Sequence, residues 1–119
     1  MNHIELGKSG EQAAVGFLEA KGYQILERNW RWGRQEIDII ARDEHVIVIV
    51  EVKTRISNRY SEPEESVTVK KQRILVRAAN AYVNFRRLQG EVRFDIISIL
   101  NHPNGVTIKH IVDAFTATL

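Results

Sequence analysis

"EIDIIARDEHVIVIVEVKTR", residues 36–55, contains two β-branched apolar runs separated by a short polar break, and Asp38, Glu51 and Lys53 stand inside those runs. Runs 36–42 and 46–54 have the length and composition of strands, so the stretch predicts a β-hairpin turning at "DEH". Side chains alternate along a strand, which places Glu36, Asp38 and Ile40 on one face of the first strand and Ile47, Ile49, Glu51 and Lys53 on one face of the second. The length of the turn decides whether those faces coincide. An even turn, Glu44 and His45 alone, pairs Arg42 with Ile47 and Ala41 with Val48, and brings Asp38 opposite Glu51 with Cβ atoms roughly 5 Å apart. An odd turn sends the two carboxylates to opposite faces. "VIVIV", 46–50, is apolar at every position, as in a strand covered from both sides.

A lone charge in such an interior costs several kcal/mol, roughly, so these three groups call for a partner. One reading is a site for a hard divalent cation together with a phosphate. Mg²⁺ or Mn²⁺ takes oxygen ligands and often only one or two carboxylates, keeping waters for exchange with substrate. Asp38 and Glu51 would be those ligands and the Val52 carbonyl a third, while Lys53, on the same strand face as Glu51, would stabilise phosphate charge or orient the attacking water. Glu11 could join through a water. The competing reading is an ion-paired cluster of Asp38, Glu51 and Lys53 at a sheet edge. For Glu11 the alternative is the helix dipole, which favours acidic residues in a first turn.

Working outward, Ser9 ahead of "EQAAVGFLEAKG" predicts an N-capped helix over 10–21 with Gly22 as its stop. "YQILERNWRW" predicts a strand closed by Gly33, and "TRISNRYSEPEES", 54–66, a polar loop. Ile74, Leu75, Ala78, Ala81, Tyr82 and Phe85 form the stripe of a second helix from Val69 to Leu88, ended by Gly90. "EVRFDIISIL", the turn "NHPNG" and "VTIKHIV" complete an order α, β, β, β, α, β, β. Arg93 and Asp95 share a strand face and predict a structural ion pair, and Trp30 and Trp32 are read as packing residues.

A chain of 119 residues with one such series predicts a single domain spanning 1–119. Without cysteine there is no disulfide, thiolate nucleophile or cysteine-held metal. The longest apolar run is far too short to cross a bilayer, and no signal segment is evident, so the expected compartment is the cytoplasm. The net charge of +2 is uninformative, but from Lys53 to Arg87 nine basic residues face three acidic ones, Glu62, Glu64 and Glu65. That concentration suggests an anionic partner, nucleic acid first, against the alternative of a solvated arginine-rich face. Arg34, Arg55, Lys70 and Lys71 are the candidates for phosphate contact. His3, His45, His102 and His110 lack metalloprotease spacing, and no phosphate-binding glycine loop or nucleophile elbow occurs.

Asp38, twelve intervening residues and then Glu51-Val52-Lys53, preceded by Glu11 on a first helix, resembles the PD-(D/E)XK nuclease superfamily. "GKSGEQAAVGFLEAKGYQILERNWR", "EIDIIARD", "VIVIVEVKTR" and "RFDIISI" together resemble the YraN-like family of predicted endonucleases over nearly the whole chain. The resemblance implies a restriction-endonuclease-like α-β-β-β-α-β core, a mixed central sheet flanked by helices, shared with Holliday-junction resolvases. It also implies Glu11, Asp38, Glu51 and Lys53 as active-site positions and a Mg²⁺- or Mn²⁺-dependent endonuclease acting on DNA, linear or branched. Cutting a two-fold symmetric junction would require a homodimer. The other readings are a nucleic-acid-binding module that keeps the fold without turnover, and a scaffold protein. Two positions depart from the pattern: Ile37 replaces the proline of the superfamily name, and Gln35 stands where a glycine is expected, resisting the positive φ that glycine would allow.

Overall fold

The computed structural model describes residues 3–56 and 67–117, with side chains from residue 7 onward. The elements are α1 (His3–Ala20), β1 (Gln24–Trp32), β2 (Gln35–Asp43), β3 (Val46–Ile56), α2 (Val69–Arg86), β4 (Val92–His102) and β5 (Gly105–Phe115). The five strands form one mixed sheet in the order β1-β2-β3-β4-β5. Neighbours are antiparallel except β3 and β4, which run parallel and are joined by the crossover through α2 that a parallel pair requires. This is the α-β-β-β-α-β core expected from the sequence, with β5 added at one edge.

The helices lie on opposite faces of the sheet. Ala14, Val15 and Leu18 of α1 are buried with Ile39, Ala41, Val48, Val50, Ile97 and Ile99. Leu75, Ala78, Ala79 and Tyr82 of α2 are buried with Ile37, Ile40, Ile47, Ile49, Phe94 and Ile96. "VIVIV" is apolar throughout because its even and odd positions belong to two different cores.

Several boundaries differ from the sequence reading. Helix α1 begins at His3 rather than residue 10, so Ser9 lies inside the helix and is not its cap. No proline interrupts residues 3–9, and a serine caps only where the backbone leaves the helix. Glu11 is therefore an interior helical residue, and the dipole of a first turn does not account for it. The stop is as expected: Gly22 adopts φ 91° and the Tyr23 N–H donates to the Leu18 carbonyl at 3.0 Å. Strand β3 continues to Ile56, two residues past its predicted end at Thr54, because its ladder with β4 persists through Ile56↔Asn101. Residues 57–66 of that loop, including Arg59, Glu62, Glu64 and Glu65, lie outside the described residues.

Helix α2 is capped by Thr68, whose hydroxyl accepts from the Lys71 N–H at 3.1 Å. It ends at Arg86 rather than Leu88, since Arg87 turns to φ 53° and closes the last turn on the Val83 and Asn84 carbonyls. Gly90 serves a different purpose: at φ 113° it passes so close to His45 that a Cβ there would lie 2.8 Å from the His45 carbonyl oxygen. Ala79 joins the buried stripe, whereas Phe85 is 73% exposed. Trp30 packs edge-on against Tyr82 at 5.1 Å, while Trp32 is 40% exposed. Gln35 needs no positive φ, because Gly33 at 61° makes the turn before it.

Arg93 and Asp95 form the expected ion pair, with Arg93 donating from Nε and Nη2 at 2.9 Å each. The pair belongs to a larger network. Asp95 also accepts from the Asp113 N–H and lies 2.8 Å from His110 Nε2, and Arg93 reaches Asp43 and the Tyr23 hydroxyl. Burial pushes the Asp95 carboxyl upward, but the bonds from His110, Arg93 and Asp113 outweigh it and hold the group below the usual carboxylate range. The pair thus ties β4 to its surroundings: Asp95 holds β5, and Arg93 holds Asp43 of β2 and Tyr23 in the link between α1 and β1.

Candidate metal site

The turn between β2 and β3 is Glu44 and His45, the even case of the two the sequence leaves open, and the register follows Arg42↔Ile47 and Ala41↔Val48. Pairing stops at Ile39↔Val50, one step before Asp38. There the strands part, and Asp38 Oδ2 accepts from the Val52 N–H at 2.8 Å. In an extended strand the N–H and C=O of one residue leave along the same edge. The Val52 carbonyl therefore also points to the β2 side, where Asp38 lies.

Glu51 follows Ile47 and Ile49 on the α2 side of β3, and only 7% of it is exposed. Its Oε1 lies 3.9 Å from Lys53 Nζ. Its Oε2 is buried and, among the described residues, has no hydrogen-bond partner. Lys71, a candidate phosphate contact on charge grounds, comes from α2 into the field of both Asp38 and Glu51. Arg34 is exposed in the β1–β2 turn and Lys70 in the first turn of α2, while Arg55 is half-buried on β3 two residues beyond Lys53.

On the other side, α1 approaches so closely that a Cβ at Gly10 would collide with the Thr54 side chain. That contact sets Glu11 beside the parted strands. Glu11, Glu36 and Asp38 offer carboxylate oxygens all within 4.8 Å of one another. Glu36 was not among the candidates, although its place two residues before Asp38 was the available signal. Strict alternation does not hold here: Ile37 and Ile40 both lie in the α2 core while Ile39 lies in the α1 core, so the pattern is interrupted at Asp38.

The electrostatics follow from burial and crowding. Burial first, and then the Glu51 charge, push Asp38 up to about 7, against the Val52 N–H and Lys71, which pull it down. Glu51 is raised as well, chiefly by burial and further by Glu11, with Lys71 and Lys53 opposing. Such a site has too much negative charge for its own protons. An unpartnered buried oxygen, a second carboxylate, and a carbonyl directed to the same gap form an all-oxygen donor set that fits Mg²⁺ or Mn²⁺. Asp38, Glu51 and Val52 are the residues that would hold the ion, and Glu11 is close enough to act through a water.

A stability prediction follows. Between its unfolded value near 4 and about 7, folded Asp38 keeps a proton that the unfolded chain has released. Metal-free stability should therefore fall as pH rises through that window, by an order of a few kcal/mol, with the contribution absent below it and the full cost present above it. Denaturant unfolding at a series of pH values in chelator measures this, and excess Mg²⁺ should reduce the fall. A flat profile would remove the crowded-carboxylate description.

Residues 10–99 match the family model described as "Uncharacterised protein family UPF0102". A UPF0102 protein of Bacteroides thetaiotaomicron is 49% identical over 113 residues, covering 95% of this chain and 93% of its own. One from Thermodesulfovibrio yellowstonii is 47% identical over 115 residues, covering 97% and 99%, and one from Flavobacterium johnsoniae is 45% identical over 117 residues, covering 95% of each.

Proposed function

The chain belongs to the uncharacterised protein family UPF0102, and we propose that it is a Mg²⁺- or Mn²⁺-dependent nuclease of the PD-(D/E)XK type, hydrolysing phosphodiester bonds of DNA with water as the nucleophile. The observation that carries this reading is the buried Oε2 of Glu51, without a hydrogen-bond donor among the described residues, beside the raised carboxyl of Asp38, with the ammonium group of Lys71 acting on both carboxylates and that of Lys53 on Glu51. An ion-paired cluster would match charges and leave no buried oxygen over. Here the carboxylates outnumber what the lysines satisfy, as they must where a cation is to be held.

A divalent ion bound there supplies charge neutralisation for the phosphate and lowers the pKa of a bound water. The protein's share is positional. Asp38 is anchored by the Val52 N–H, so its second oxygen keeps a set direction. Lys53, 29% exposed, stands between the buried Glu51 and solvent, where it can meet a phosphate oxygen or the attacking water as charge develops. Lys71 adds positive charge from α2, and exposed Lys70, Arg73 and Arg77 extend the basic surface along that helix for the DNA backbone. A four-way junction, being two-fold symmetric, would be cut by a homodimer.

Cleavage of linear, flapped and four-way DNA, with RNA counterparts, in Mn²⁺ tests the activity. Metal-dependent cutting is expected, and a metal-binding parent that cuts none of them would leave a nucleic-acid-binding module as the surviving account. The affinity itself should fall with salt by about 0.9 log unit per log unit for each phosphate neutralised, so Lys70→Ala should flatten the slope by about that amount. Salt-independent binding would count for a scaffold role.

A further inference from the structure

We infer that Asn29 is a positioning residue of this site, holding Glu11 and Glu36 in place through its carboxamide; the inference rests on the metal-dependent reading above. Asn29 lies in the middle of β1 but has φ 53°, a left-handed conformation unusual in a strand. Its effect is visible in its neighbours. Arg28 donates to Gln12 of α1 at 3.0 Å, and Asn29 also turns to that side, while Trp30 crosses to Tyr82 under α2. Two successive side chains of one strand thus meet the same helix, which regular alternation forbids.

With its amide nitrogen facing the acceptors, Asn29 donates to Glu11 at 3.0 and 3.2 Å and to Glu36 Oε1 at 2.8 Å. Glu36 is further paired with Arg31 at 3.4 Å. Asparagine suits both requirements. Outside glycine it tolerates the left-handed region best, and its carboxamide brings two N–H donors without adding charge to a group of carboxylates. A lysine or arginine in its place would neutralise the site and weaken its hold on a cation. An aspartate would add repulsion. Without the amide, Glu11, half-buried and facing Asp38 and Glu36, would swing toward solvent, and the water-mediated contact assigned to it would be lost.

Partners that orient ligands from behind a metal site typically contribute about 10- to 100-fold in affinity. Mn²⁺ titrated calorimetrically into the full-length protein is the test, with Asn29→Gly, Glu11→Gln and the double variant. Glycine preserves the φ, so a melting temperature near the parent's is expected, and the amide is removed alone. Asn29→Gly should weaken Mn²⁺ at least about 10-fold. Glu11→Gln should do the same, and the double variant should be little worse than either, because Asn29 acts through Glu11. A merely structural role would instead add its loss to that of Glu11→Gln. Unchanged Mn²⁺ affinity in either single variant, beside a parent that binds, overturns this assignment alone. A parent that does not bind Mn²⁺ overturns the metal site as well.

Discussion

Asp38→Asn and Glu51→Gln are each expected to abolish Mg²⁺ or Mn²⁺ binding and cleavage while making the metal-free protein more stable above pH 7. Both substitutions are nearly isosteric. Asn at 38 still presents an oxygen to the Val52 N–H, so the 2.8 Å anchor survives and only charge is lost. The affinity loss should be at least as large as the about 10- to 100-fold that outer partners of metal sites contribute, since these are the ligands themselves. Stability should move the other way. At pH 8 folded Asp38 has been forced to ionise against burial and against Glu51, and removing that charge relieves a penalty on the order of a few kcal/mol. For Glu51→Gln the gain comes from removing a buried charge whose Oε2 has no donor among the described residues. Calorimetric titration and denaturant unfolding at pH 8 check the two halves. An ion-paired cluster predicts loss of stability in both variants, so stabilised folds that no longer bind metal would separate the accounts. Variants that bind metal like the parent would refute the ligand assignment.

Lys53→Ala should lower turnover by roughly 10²- to 10³-fold, the loss typical of one preorganised donor at a site of developing charge. Metal binding should survive, because Lys53 is not a ligand. The ammonium 3.9 Å away favours the charged form of Glu51, so its loss raises that carboxyl further, and turnover is compared across a series of alkaline pH values. DNA affinity should drop only slightly, as one phosphate contact among several. Cleavage that disappears in Lys53→Ala with metal binding intact would fix its role. Equal cleavage by parent and variant would point to a contaminating nuclease.

The local features of the hairpin were legible in residues 36–55. A two-residue turn leaves one register, and once the register is set the period of two brings Asp38 to the level of Glu51 without any knowledge of the helices. The uniformly apolar "VIVIV" likewise announced cover on both faces, and the two cores split it by parity. What pairing arithmetic could not anticipate is that the ladder ends at Ile39↔Val50 and that Asp38 spends its bond on the Val52 N–H.

Glu11 was named by resemblance, but its proximity depends on α1 pressing Gly10 against Thr54, a contact across 44 positions of sequence. Lys71 was a surface cation as far as charge counting went, and only the packing of Leu75, Ala78, Ala79 and Tyr82 on the sheet brings the start of α2 into the field of the carboxylates. Glu36 and Asn29 passed as ordinary strand residues, because a single left-handed φ leaves no trace in hydrophobic periodicity. The division has a physical basis. Strand type, the place of the turn and charge pattern depend on residues within about ten positions of each other, where chain geometry leaves few choices. The site gathers groups from α1, β1, β2, β3 and α2, and which of them meet is settled by how two helices pack on opposite faces of one twisted sheet.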